Sequence, residues 1–207
     1  GYEYEVVEVA GQNPIAEQDH RALATLADEL AAGSGDPETN FVEPDKLTYP
    51  WAYERLSQLF DSPNAPDLVV NPKSYCYGRQ PGQHGALDVI QSRSPLIFSG
   101  PGVKTGAFIE CPSRQIDIAP TVARLMGFPL IDGCDLTGRT SSERGVSPDV
   151  YLARQDGRVL NEVLDPAAGK PERVYLVLLD GQSHTELLHR LETEPGAIPN
   201  LRRLIAA

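Results

Sequence analysis

Val174-Tyr175-Leu176-Val177-Leu178-Leu179 is an unbroken apolar run that stops on Asp180-Gly181. It does not alternate with polar residues, so it reads as a strand covered on both faces rather than one. Strands of that kind belong to parallel sheets flanked by helices, which limits the chain to few architectures. Pro66-Asp67-Leu68-Val69-Val70 and Pro95-Leu96-Ile97-Phe98-Ser99 read the same way, each a short strand without a polar face. In such sheets ligands collect in the loops that leave the carboxyl ends of the strands. Asp180 stands at one such end. His84 lies in the loop from Asn71 to Gly85, which leaves another.

Between the strands the apolar spacing turns helical. Ala22, Leu23, Leu26, Ala27 and Leu30 mark a helix from Asp19, which Gly33-Ser34-Gly35-Asp36-Pro37 ends. Trp51–Phe60 carries Leu56, Leu59 and Phe60 as a stripe. Pro120 and Gly127 bound a helix over Pro120–Met126, since proline suits a first turn and glycine a C-terminal stop. Further helices are expected over Thr185–Glu192 and from Pro199. Tyr2–Val6 alternates and reads as a half-buried strand. Asp156-Gly157, between Val150-Tyr151-Leu152-Ala153 and Arg158-Val159-Leu160, reads as a hairpin turn. Gly133–Pro148 and Asp165–Pro171 are linker in composition.

With 207 residues, 41% hydrophobic and 23% charged, the chain has an ordinary globular composition and can bury a sizeable core. Its net charge of −11, with no Lys/Arg cluster, argues against a nucleic-acid duplex as partner. A phosphate-ester substrate stays possible, because bound cations reverse the local field. No apolar run reaches the ~20 residues of a membrane span. Localisation is open: the cytoplasm is favoured, and export requires that a leader was removed ahead of Gly1. Cys76, Cys111 and Cys134 have no metal-site spacing and read as buried free thiols, with a Cys111–Cys134 bridge as the alternative.

The chemistry-bearing candidates are few. Burying the Asp180 carboxylate at a strand end costs several kcal/mol unless it is paired or bound to a cation. Its other reading is a cap for the following helix. His84, within Gly82-Gln83-His84-Gly85-Ala86-Leu87, is either a solvated loop residue or a metal ligand. Asp88 is read as a free surface carboxylate, or else as the group that orients the His84 imidazole. Asp117 and Thr121 are read as braces of the turn before Pro120. His20 and His184 read as solvent-exposed, and His184 and His189 are wrongly spaced to share one helix face. Gly100–Gly106 lacks the Gly-Lys-Ser/Thr ending of a phosphate loop, and no Gly-x-Ser-x-Gly elbow exists.

Taken in order, His84-Gly85, the strand Pro95–Ser99, the turn Gly100-Pro101-Gly102 and Asp117-Ile118-Ala119-Pro120-Thr121 through Gly127 resemble the closing part of an alkaline-phosphatase-superfamily domain. The similarity is to the type I phosphodiesterase/nucleotide pyrophosphatase kind. Leu178-Leu179-Asp180-Gly181, followed by Pro199-Asn200-Leu201 and Leu204, resembles the opening of the same family, yet comes afterwards in this chain. A phosphoglycerate-mutase-like member is less similar, for its closing motif is missing.

The resemblance implies an α/β fold, an α/β/α sandwich on a mostly parallel sheet, present here in partial or permuted form. Residues 1–132 would match the family's C-terminal part and 173–207 its start, with 133–172 as linker. It also implies two divalent ions, zinc being the usual choice, with His84 on one and Asp180 on the ion that holds the nucleophile. The family's Ser or Thr nucleophile falls beyond the stretch these residues match, as do its central Asp/His cluster and its Asp-His-Gly motif. The expected activity is therefore phosphoric ester hydrolysis by a larger protein. The rest of the polypeptide or a second chain would complete the domain, and the substrate would be a small phosphate ester or nucleotide. The segment alone is expected to be inactive. The competing expectation is a phosphatase-like scaffold or interaction domain without catalysis.

Overall fold

The computed structural model describes residues 5–16, 48–60, 62–72, 84–109, 111–131, 149–153 and 155–206. The expected helix from Asp19, and His20, Cys76 and Cys134, lie outside them. The chain divides into two compact units, each assembled from separated stretches. One combines Gly1–Leu96 with Leu179–Ile198; the other combines Ile97–Leu178 with Pro199–Ala207.

In the first unit, helix α1 (Ala52–Leu59) forms where the Trp51–Phe60 pattern predicts one. It buries Ala52 with Tyr49 and Leu87, and Ile15 and Leu56 pack against that cluster. Leu59 and Phe60 stay exposed, so the apolar stripe is only half used. A single turn, α2 (Val89–Ser92), follows the His84 loop and docks through Val89, whose amide donates to the Thr48 carbonyl at 2.9 Å. Helix α3 (His184–Thr193) starts on Ser183, whose hydroxyl accepts from the Glu186 amide at 3.1 Å. Leu187 is its buried anchor.

The second unit is built on a 3-10 turn, Gln115–Asp117, that runs directly into helix α4 (Ile118–Leu125). Gly127, at φ 64°, ends α4: its amide donates to the Arg124 carbonyl and that of Phe128 to Ala123, both at 3.0 Å. This is the paired closure that a left-handed glycine permits. Asp117 and Thr121 brace the turn as expected. Both are fully buried, and the Thr121 hydroxyl donates to the Asp117 carbonyl at 2.6 Å. They also do more, because the Arg158 amide donates to Asp117 Oδ1 at 2.8 Å and the Leu160 amide to Thr121 Oγ1 at 2.9 Å. Val159 is thereby pressed onto Ala123 and Tyr151 to form the core of this unit. Helix α5 (Pro199–Ala206) begins at the expected proline.

Among the described residues no ladder joins 150–153 to 158–160: Arg158 and Leu160 give their amides to side chains of the α4 region. The buried Gln155 side chain takes the remaining groups: it accepts from the Tyr151 amide at 2.9 Å and donates to the carbonyls of Asp149 and Gly157. Gly157 is needed for a different reason than a hairpin turn would supply. A Cβ there would overlap the Ile116 carbonyl and the Asp117 amide.

The Gly100–Gly106 turn is used structurally. The Gly102 amide donates to Ala168 and that of Lys104 to Val163, and Val103 bridges Leu164. A Cβ on Gly102 would meet Leu125 and the Gly169 carbonyl. These amides are thus spent on the chain and are not offered to a phosphate.

Pro66–Val70 and Val174–Leu179 carry no helix and no ladder, and Val70 is 90% and Leu178 82% exposed. A strand apolar on both faces is buried only when neighbours flank both edges and helices cover both faces. Among the described residues the only β-pairing is the Val103–Leu164 bridge. No helix among them is long and apolar enough to cross a membrane.

Candidate functional site

His84 and Asp180, far apart in sequence, fall in the same unit and meet there. His84 Nε2 lies 3.1 Å from Asp180 Oδ1, with the side chains 69% and 81% exposed. An exposed pair of this kind adds little to stability. Its interest is therefore chemical: an imidazole nitrogen and a carboxylate oxygen converge at an open surface.

Asp180 is placed by a tight reversal. Gly181, at φ 71°, turns the chain between Val174–Leu179 and α3. The capping role open to Asp180 is filled by Ser183, so its carboxylate is free to face His84. Because Asp180 is exposed, no burial cost demands a cation there, which removes that argument for a metal. What remains is the approach of His84.

His84 is placed by its successors. Beyond Gly85 (φ 100°), the Ala86 amide donates to Gln91 Oε1 and the Leu87 amide to Asn71 Oδ1, both at 2.8 Å. The Leu87 carbonyl accepts from Arg55 Nη1 at 3.1 Å and the Ala86 carbonyl from Nη2 at 3.4 Å. Asp88 corrects both of its expected roles. It is 0% exposed and caps α2, with Oδ1 accepting from the Gln91 amide at 3.1 Å. It is a helix cap and not a partner of the imidazole. Burial pulls the Arg55 guanidinium below its usual pKa, and the nearby Asp88 carboxylate offsets part of that.

His184 is half-buried at the first position of α3, not exposed as the sequence suggested. Burial lowers its pKa and the Arg93 cation adds to the effect. The helix N-terminus also disfavours a cation. Its neutral form is the one the fold prefers, so the unfolded chain binds more protons. The stability it contributes is present above the unfolded pKa of about 6.5 and is lost as pH falls below that value. Urea midpoints should accordingly drop between about pH 7.5 and about pH 5.5. The His184→Gln protein should show a smaller drop; an identical drop in both would remove His184 as the cause. His189 lies further along α3, where its carbonyl accepts from the Thr193 hydroxyl.

The donor pair can be tested against a metal. With bonds of about 2.0–2.2 Å to zinc, donors 3.1 Å apart subtend roughly 100° at one ion. That lies between octahedral and tetrahedral angles, so both atoms fit a single coordination shell. No group of three or more His, Cys, Asp or Glu suited to a metal occurs among the described residues. Cys111 is a free thiol of the second unit. Comparison with known proteins identifies no relative: no family model, no curated protein and no solved structure matches this chain.

Proposed function

We propose that His84 and Asp180 form part of the metal centre of a metal-dependent phosphoric ester hydrolase of the phosphodiesterase/nucleotide pyrophosphatase type. The observation that carries this reading is their convergence at 3.1 Å within one unit. The resemblance puts both residues in one two-ion centre, and nothing in the local sequence around either requires them to meet. Divalent ions, zinc by preference, would supply charge neutralisation and a lowered pKa for the attacking oxygen. His84 would donate one imidazole nitrogen, held by the Ala86–Leu87 clamp, and Asp180 one carboxylate oxygen at the open end of the Val174–Leu179 segment. Whether one ion takes both donors or two ions take one each, the resemblance would have the remaining ligands and the Ser or Thr nucleophile completed from outside the stretches it matches here. The same completion would supply sheet neighbours for Val174–Leu179 and give the α/β/α sandwich that its all-apolar pattern calls for.

The test is zinc binding followed by titration calorimetry. The protein should take up zinc, and His84→Ala and Asp180→Asn should each weaken it by more than about 100-fold, since losing even an outer partner of a ligand costs roughly 10–100-fold. The 207-residue chain alone should not hydrolyse a phosphodiester. Absence of zinc uptake, with both variants like wild type, would instead support the non-catalytic scaffold.

A further inference from the structure

We infer that Arg55 is the positioning residue of the His84 loop, and through it of the His84–Asp180 pair; this rests on the metal-centre reading above. Ala86 and Leu87 follow His84 by two and three residues, and among the described residues no β-ladder holds them. All four of their backbone polar groups are instead met by side chains. Gln91 and Asn71 take the amides. The Arg55 guanidinium takes both carbonyls. Its Nη1 also donates to Ser92 Oγ at 2.6 Å and, more distantly, to the Pro50 carbonyl at 3.4 Å. Ser92 Oγ in turn donates to the carbonyls of Leu87 and Asp88, so one hydroxyl ties Arg55 to both ends of the turn.

The arrangement needs a planar fork. Two carbonyls and a hydroxyl lie on one side chain that comes from α1, a separate element of the same unit. Lysine offers a single ammonium on a flexible stem and cannot span the Ala86 and Leu87 carbonyls together with Ser92. Arg55 touches neither donor atom of the pair. Its effect reaches His84 only through the backbone, across the one left-handed residue Gly85. Fixing a ligand before the ion arrives spares the ordering cost at binding, so loosening the loop should weaken the ion without removing a donor.

The experiment is a double-mutant cycle on zinc affinity. Arg55→Lys should weaken zinc about tenfold in the otherwise native protein, in line with the loss of an outer partner. In a His84→Ala background it should have no further effect, because the ligand it positions is gone. An equal loss in both backgrounds would show a general structural role and overturn the inference, as would unchanged affinity. The positioning is also read without metal, from amide exchange at Ala86 and Leu87. Arg55→Lys should accelerate both about tenfold, beyond any acceleration it causes at the amides of α3 in the same unit. Unchanged exchange overturns the inference even if the native protein never binds zinc. Zinc-free native protein with accelerated exchange in the variant would overturn the metal-centre reading alone.

Discussion

Replacing Gly157 by Ala is expected to destabilise the protein by about 3–5 kcal/mol, although it adds one methyl group. The added Cβ would occupy the space of the Ile116 carbonyl and the Asp117 amide. Both are backbone atoms, and Asp117 is fixed further by its own side-chain bonds, so no flexible group can swing aside. Relief requires the 157–160 segment to lift from α4. Lifting it leaves Asp117 and Thr121 without the Arg158 and Leu160 amides, and each buried polar group stranded this way costs about 1–3 kcal/mol. It also uncovers Val159 and Leu160. Gly196→Ala is the control: a Cβ there meets nothing within 4 Å, and its midpoint in urea should shift by less than about 0.5 kcal/mol equivalent. Equal midpoints for the two variants would show that the close approach at Gly157 is not a constraint.

The contrast between residues 150–160 and the helices shows what the sequence could reveal about the fold. Helices α1, α3, α4 and α5 were legible because their signals are local. Pro199 opens a helix, Gly127 supplies the left-handed stop, and apolar spacing of three to four marks a buried face. At Asp156-Gly157 the glycine meets a backbone contact from a segment some forty positions earlier, which no local pattern encodes. The apolar segments meet the same limit. Their composition states that both faces should be covered, but the cover must come from elsewhere in sequence.

Within the candidate site, the residue types were legible and their meeting was not. The resemblance places His84 and Asp180 in one metal centre, whereas their 3.1 Å separation is a long-range fact that neither motif encodes. Two signals that were present went unread. Ser183-His184-Thr185-Glu186 has the spacing of a capped helix start, which already assigns the cap to Ser183 and withdraws it from Asp180. Asp88-Val89-Ile90-Gln91 has the analogous spacing and announces the single turn of α2 that buries Asp88. Arg55 carried no such signal. On the helical pattern of α1 it is one more polar residue, and only the fold brings the Ala86 and Leu87 carbonyls to it.

Asp117→Ala is expected to cost about 2–4 kcal/mol, and Asp117→Asn distinctly less. The carboxylate is 1% exposed, and its oxygens accept from two backbone amides: Oδ2 from Arg114 and Oδ1 from Arg158, both at 2.8 Å. Arg114 Nη2 adds a longer contact to Oδ1 at 3.4 Å. Alanine deletes both acceptors, leaving two amides in a site that the fold has closed to water. Asparagine keeps the shape and one acceptor, but its NH2 must then face one of the two amide donors, so one bond is exchanged for a donor–donor contact. The order wild type, Asn, Ala in urea midpoint is therefore fixed by acceptor count; an Asn variant as unstable as Ala would mean that charge, and not acceptor geometry, holds the site. The Asp117→Ala and Gly157→Ala changes also break the same docking of 157–160 onto α4. Residues acting as one unit are not additive. The double variant should lose scarcely more than the less stable single variant, and a loss equal to the sum of the two would show that Asp117 and Gly157 hold separate parts of the unit.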